Sequence, residues 1–120
     1  MLTLKKLLII ENDVDTIEIV SIILQEYNYE VVKSEKKLLV EEIAEIAPNV
    51  IVIDYMLLDG YGSELCLQVK ENPLTKHLPV IIMSASTHLE KIIHDCHADA
   101  FIAKPFDLLE FVGLVNSVVV

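Results

Sequence analysis

Four short stretches carry the groups that could do chemistry. Glu11-Asn12-Asp13 follows the apolar run LLII at 7–10, and Asp54 follows VIVI at 50–53. Ser84-Ala85 follows VIIM at 80–83, and Lys104-Pro105 follows ADAFIA at 98–103. Each polar group therefore closes an apolar run. Carboxylates and an amide are hard oxygen ligands of the kind Mg²⁺ takes, usually with one or two carboxylates and several waters. A lysine and a hydroxyl suit a phosphoryl group, one as a point charge and one as a donor. An aspartate at a strand end can act as a nucleophile and form an aspartyl phosphate. Phosphoryl transfer depends mainly on positioning and charge neutralisation, and this set supplies both. No GxxxxGK[ST] loop occurs and no GxGxxG follows the first run, so a nucleotide is not the obvious substrate.

These groups can meet only if the elements bring the run ends together. Lys5–Ile10 reads as a strand, and residues 14–27 carry Val14, Ile17, Val20, Ile23, Leu24 and Tyr27 at helical spacing. Tyr29–Lys33 is a β-branched strand, and Glu35–Ala47 is predicted helical, stopped by Pro48. Val50–Asp54 is a strand, Gly62–Glu71 a helix, and Pro79–Met83 a strand. Leu89–His97 is a helix, Asp99–Ala103 a strand, and Asp107–Val118 the last helix. The result is (βα)₅. Strands that are apolar throughout are buried on both faces, as in a parallel sheet with helices on either side. Right-handed crossovers then give an α/β doubly wound, flavodoxin-like sheet of order 2-1-3-4-5. In such sheets ligands sit beyond the carboxyl ends of the strands, at the switch point between strands 1 and 3. Glu11, Asn12, Asp13, Asp54, Ser84 and Lys104 all map to that rim.

The 120 residues suit one domain, 1–120, with one core. Hydrophobic residues make up 53%, yet no run approaches the roughly 18 residues of a membrane span. With no cleavable signal pattern at the N-terminus, the expected location is the cytoplasm. The net charge of −10 repels phosphate backbones, so direct binding of nucleic acid is not expected. Cys66 and Cys96 fall in predicted helices without CxxC spacing, which favours reduced, buried thiols. His94 and His97 share a helix face next to Cys96, but a fourth zinc ligand is not evident, and a solvated helix end is the simpler reading.

Taken in order, Asp54, Gly62 eight residues later, Ser84-Ala85 and Lys104-Pro105-Phe106 resemble the motifs of a response-regulator receiver domain of two-component signalling, with a chemotaxis-regulator-like fold. The resemblance covers the whole chain. It implies that Asp54 accepts a phosphoryl group from a sensor histidine kinase or a histidine phosphotransfer protein. It implies that Met56 offers its backbone carbonyl to Mg²⁺ beside Glu11, Asn12 and Asp54, that Ser84 hydrogen-bonds the phosphoryl oxygen and that Lys104 pairs with it. Lys104–Pro105 resembles a bond that is cis in the family. Phe101 matches an aromatic switch position, and the face of helix 4, strand 5 and helix 5 would signal to a downstream protein or to an output domain outside these residues. The chain is then no enzyme beyond taking and hydrolysing its own phosphoryl group.

Asn12 stands where the family carries a second acid as direct Mg²⁺ ligand, which implies weak Mg²⁺ binding. Leu58 stands where proline is usual, and His97 replaces a common glycine. Bland readings compete at several positions: Asn12 or Asp13 as a cap of helix 1, and Phe101 as ordinary core. Asn12 also supports a rival function, a receiver-like interaction module that works without phosphorylation. A small Mg²⁺-dependent phosphatase would share the rim, but the chain has no room for the substrate-capturing cap such enzymes use.

Overall fold

The structure, a computed structural model, describes residues 4–85 and 89–119. Five strands, β1 (Lys5–Ile10), β2 (Tyr29–Ser34), β3 (Val50–Asp54), β4 (Val80–Ser84) and β5 (Ala100–Ala103), form one parallel sheet of order β2-β1-β3-β4-β5. Leu7 pairs with Val31 and Val50, Ile51 with Val80, and Ser84 with Ala103. This register aligns the carboxyl ends of β1, β3, β4 and β5, so the polar groups that follow them share one rim.

The sheet explains why the central strands do not alternate in polarity. Leu8, Ile10, Ile51, Ile53, Val80 and Ile82 face α2 (Val40–Ile46), α3 (Gly62–Glu71) and α4 (Leu89–Cys96). Their odd-even partners Leu7, Ile9, Val50, Val52, Ile81 and Met83 face α1 (Val14–Glu26) and α5 (Leu108–Val118). All twelve side chains are fully buried, so either parity of each strand must be apolar.

The helix over 35–47 is shorter than the sequence pattern suggests, spanning Val40–Ile46. Residues 35–39 are drawn into other hydrogen bonds. Ser34 Oγ donates to the Lys36 carbonyl, and the Lys37 amide donates to the Asp59 carboxylate at 3.1 and 3.3 Å. The Leu39 amide donates to Glu42 Oε1, which marks the true start of the helix. Three helices end on left-handed residues, Asn28, Ala47 and His97, with φ of 67°, 52° and 60°. His97 therefore occupies a position that favours glycine and lies outside α4. Asp107 caps α5 by accepting from Leu109 and Glu110 rather than belonging to it. One small element has no counterpart in the apolar pattern: Met56–Leu57 and Gly60–Tyr61 pair antiparallel, two residues each. Among the described residues no helix is long and apolar enough to cross a membrane.

Candidate functional site

Asp54 is the last residue of β3, the central strand of the sheet, and is 8% exposed. Its neighbourhood is held from two sides. The Tyr55 amide donates to the Met83 carbonyl of β4, and the Gly62 amide donates to the Tyr55 carbonyl. Gly62 opens α3 directly against the acceptor: a Cβ there would lie 2.0 Å from the Asp54 carbonyl oxygen and 2.7 Å from Ile53 Cγ2. Only a residue without a side chain lets α3 start so close to β3. The spacing of eight from Asp54 was visible in sequence, but this contact was not.

Lys104 binds two carboxylates together. Its Nζ lies 2.9 Å from Glu11 Oε2 and 3.2 Å from Asp54 Oδ1. Glu11 is almost fully buried, and its other oxygen accepts from the Asp13 amide at 3.0 Å. Glu11 thus anchors both the lysine and the entry to α1. The Lys104 amide donates to the Ser84 carbonyl, which ties β5 to β4 at the rim, and Lys104–Pro105 is cis, as the resemblance implies. Asp54, Tyr55, Met56, Ser84, Ala85 and Lys104 line an open cleft of about 380 Å³. The structure therefore brings Glu11, Asp54, Met56, Ser84 and Lys104 to one place.

Asn12 and Asp13 divide the roles that the sequence left open. Asp13 caps α1: its carboxylate accepts from the Asp15 amide at 3.2 Å and from Thr16 Oγ1 at 2.7 Å. The Thr16 hydroxyl is the chief reason its carboxyl sits below the usual range. Asn12 is not the cap. Its Oδ1 is buried and has no hydrogen-bond partner among the described residues. Buried carbonyl oxygens are normally satisfied, so an orphan on the residue that follows Glu11, at the rim Asp54 shares, fits a hard cation. The residues present thus suit Mg²⁺, with an amide oxygen in place of one negative charge.

Phe101 is not core. It pairs with Ile82 in the sheet, two positions below the Ser84–Ala103 pair, and is 40% exposed outside the cleft. The zinc reading fails on geometry: His94 is exposed beside Asp95, His97 is exposed, and Cys96 points into the core against Cys66.

Burial raises the carboxyls of Asp54 and Glu11 above their ordinary values, with the Lys104 ammonium opposing it in both. For Lys104 burial pulls downward, but Glu11 and Asp54 outweigh it and the group is raised. A carboxyl raised in the folded state binds its proton more tightly there than in the unfolded chain. Its charge therefore costs stability at neutral pH, and the cost fades as pH falls into the ordinary carboxyl range near 4. The raised Lys104 contributes stability throughout that range and loses it only as pH climbs above about 10. In Mg²⁺-free buffer Asp54→Asn is expected to raise the melting midpoint at pH 7.5, because it removes a carboxylate whose charged form burial disfavours. The gap should close as the buffer is acidified toward pH 4. Melting curves of both proteins across pH check this, and an equal gain at every pH would contradict the assignment.

The comparisons with known proteins agree with this geometry. The response regulator receiver domain family matches residues 7–116. The phosphate regulon transcriptional regulatory protein PhoB of Escherichia coli strain K12 is 26% identical over 117 residues, 95% of this chain and 51% of PhoB. A CheY-like response regulator receiver domain protein from Methanospirillum hungatei JF-1 has a TM-score of 0.81 at 25% identity, covering 96% of this chain and 93% of that one. TrrA of Thermotoga maritima, solved in complex with Mg²⁺-BeF, shares the fold, with a TM-score of 0.80 at 20% identity over 97% and 100% of the two chains. The chain spans about half the length of the curated relatives it matches.

Proposed function

The chain belongs to the response regulator receiver domain family, and from that membership we propose that it is a phosphoacceptor switch with Asp54 as the acceptor. The observation that carries this reading is the Lys104 ammonium held between Glu11 and Asp54 at the mouth of an open cleft. An Asp54 oxygen attacks the phosphorus of a phosphohistidine on a sensor kinase or phosphotransfer protein. The O–P bond forms as the N–P bond breaks, and the imidazole leaves with the electron pair. Lys104 neutralises the equatorial oxygens, and the Ser84 hydroxyl donates to one of them. Asn12, Asp54, Met56 through its carbonyl, and Glu11 nearby would hold Mg²⁺, which when bound supplies further neutralisation of that charge.

Water later cleaves the same acyl phosphate, so the chemistry begins and ends on the chain's own Asp54. Phe101, exposed in the described state, turns inward as Ser84 engages the phosphoryl group, and this alters the α4–β5–α5 face toward a downstream partner or output domain. The setting is the cytoplasm, where such a donor operates.

The test is intact mass after incubation with acetyl phosphate or phosphoramidate and Mg²⁺. The expected gain is one phosphoryl group, about 80 Da, absent in Asp54→Ala, with Phe101 resonances shifting in parallel under beryllofluoride. An unchanged mass across donors and Mg²⁺ concentrations would leave the phosphorylation-independent module as the better reading. A label that survives Asp54→Ala would place the acceptor elsewhere.

A further inference from the structure

Away from the rim, two cysteines meet between α3 and the end of α4. Cys66 and Cys96 are 30 residues apart in sequence and both buried, at 0% and 2% exposure. Cys66 Sγ donates to the Cys96 carbonyl at 3.3 Å, and both residues belong to the same buried apolar cluster. We propose that Cys66 and Cys96 form a disulfide under mild oxidation, a covalent latch that ties α3 to the carboxyl end of α4.

The surroundings favour a specific bridge over random thiol oxidation. One turn after Cys66, Lys70 Nζ donates to the Leu78 carbonyl at 2.8 Å and to Asp99 Oδ2 at 2.6 Å. Asp99 Oδ2 also accepts from the Val80 amide at 2.8 Å. These bonds pin the α3 side of the pair to the starts of β4 and β5. Cys96 is the last residue of α4, and His97 follows in the left-handed region, so the helix ends at the sulfur. Disulfides require their Cα atoms within about 7 Å, and a thiol bonded to its partner residue's own carbonyl is already near that range.

The chemistry is balanced with hydrogen peroxide as the oxidant. The neighbouring Cys66 thiol holds the Cys96 thiol down to about 7, whereas the Cys96 side chain and burial raise Cys66. The Cys96 thiolate therefore attacks first. The O–O bond breaks, the sulfur becomes a sulfenic acid, and the departing hydroxide takes up the proton that Cys96 had released, giving the first water. Cys66 then attacks the Cys96 sulfur as its own proton passes to the departing hydroxide. The S–S bond forms and a second water is released, so two thiols are oxidised as one peroxide is reduced. Burial restricts access, so the reaction proceeds through local opening at the end of α4 rather than on the closed surface. The latch is independent of Asp54 chemistry and is tested apart from it. Its consequence for signalling, restraint of the α4–β5–α5 face, rests on the proposed function.

The experiment treats the folded wild-type chain and its Cys66→Ser and Cys66→Ala variants with hydrogen peroxide, without denaturant. Intact mass and a non-reducing gel are the readouts. The expected result is a monomer lighter by about 2 Da in wild type only, reversed by dithiothreitol. Its melting midpoint should rise by roughly 5 °C or more, because the bridge constrains the unfolded chain. Cys66→Ala should instead stop at oxygen adducts or remain unoxidised. A wild type that gains only oxygen, forms only intermolecular dimers, or loses 2 Da only after unfolding would overturn the proposal.

Discussion

Gly62→Ala is expected to lower the thermal midpoint by roughly 10 °C and to slow the proposed phosphorylation of Asp54. The reason is steric. The added methyl carbon would stand 2.0 Å from the Asp54 carbonyl oxygen and 2.7 Å from the Ile53 side chain. Neither neighbour can yield easily. The Asp54 carbonyl belongs to the central strand, flanked by β1 and β4, and Ile53 is fully buried. Overpacking of this kind costs about 1–3 kcal/mol and more when backbone must move. About 3 kcal/mol corresponds to the stated shift for a chain of this size. Helix propensity works the other way, since alanine favours a helix by up to about 1 kcal/mol over glycine, so a stabilised variant would show that α3 relocates freely. Calorimetric melting gives the stability change. The rate of mass gain with acetyl phosphate, measured below the melting range, reports whether Asp54 has been displaced.

Asn12→Asp is expected to tighten Mg²⁺ about ten-fold and to speed phosphorylation from small donors. Glu11, Asp54 and Lys104 together carry a single net negative charge when both acids are ionised, and Asn12 adds none. At about 4 Å and an effective dielectric near 20, one unit pair is worth roughly 4 kcal/mol, and a dication doubles that. Solvent and the amide oxygen recover much of the difference, so the net change is about 1–2 kcal/mol. The metal-free variant should also melt earlier than wild type, because a third carboxylate joins two whose charged forms burial already disfavours. Added Mg²⁺ should reverse that order by mass action. Isothermal titration of both proteins with MgCl₂ decides it. Equal dissociation constants would mean that the charge at position 12 does not control the metal. Capping cannot then be the explanation, since Asp13 already holds that role.

Which parts of this were legible in sequence follows from how local each signal is. β1 over Lys5–Ile10, β3 over Val50–Asp54 and α3 over Gly62–Glu71 match their predicted bounds. A parallel strand buried on both faces has to be apolar at every position, and such a run is visible without knowing its neighbours. The rim was legible for a topological reason. In a doubly wound sheet all strands point the same way, so whatever follows each apolar run must gather at one edge. Glu11, Asp54, Ser84 and Lys104 could be assigned together on that ground alone.

The rest depended on contacts between distant segments. α2 starts later than its sequence pattern because the Lys37 amide prefers a carboxylate 22 residues away to a helical turn of its own. Position 12 or 13 as the cap could not be separated by residue type, since Asn and Asp serve almost equally well there. Backbone geometry decided it, turning Asp13 toward Thr16 and leaving the Asn12 oxygen buried without a partner. Phe101 suits a core by composition, yet its place opposite Ile82 on an edge strand leaves it partly in solvent. The tight seat of Gly62 on Asp54 and the meeting of Cys66 with Cys96 are likewise products of packing. Residue type and spacing state which chemistry is available, whereas distances of a few ångströms between segments far apart in the chain decide which groups can use it.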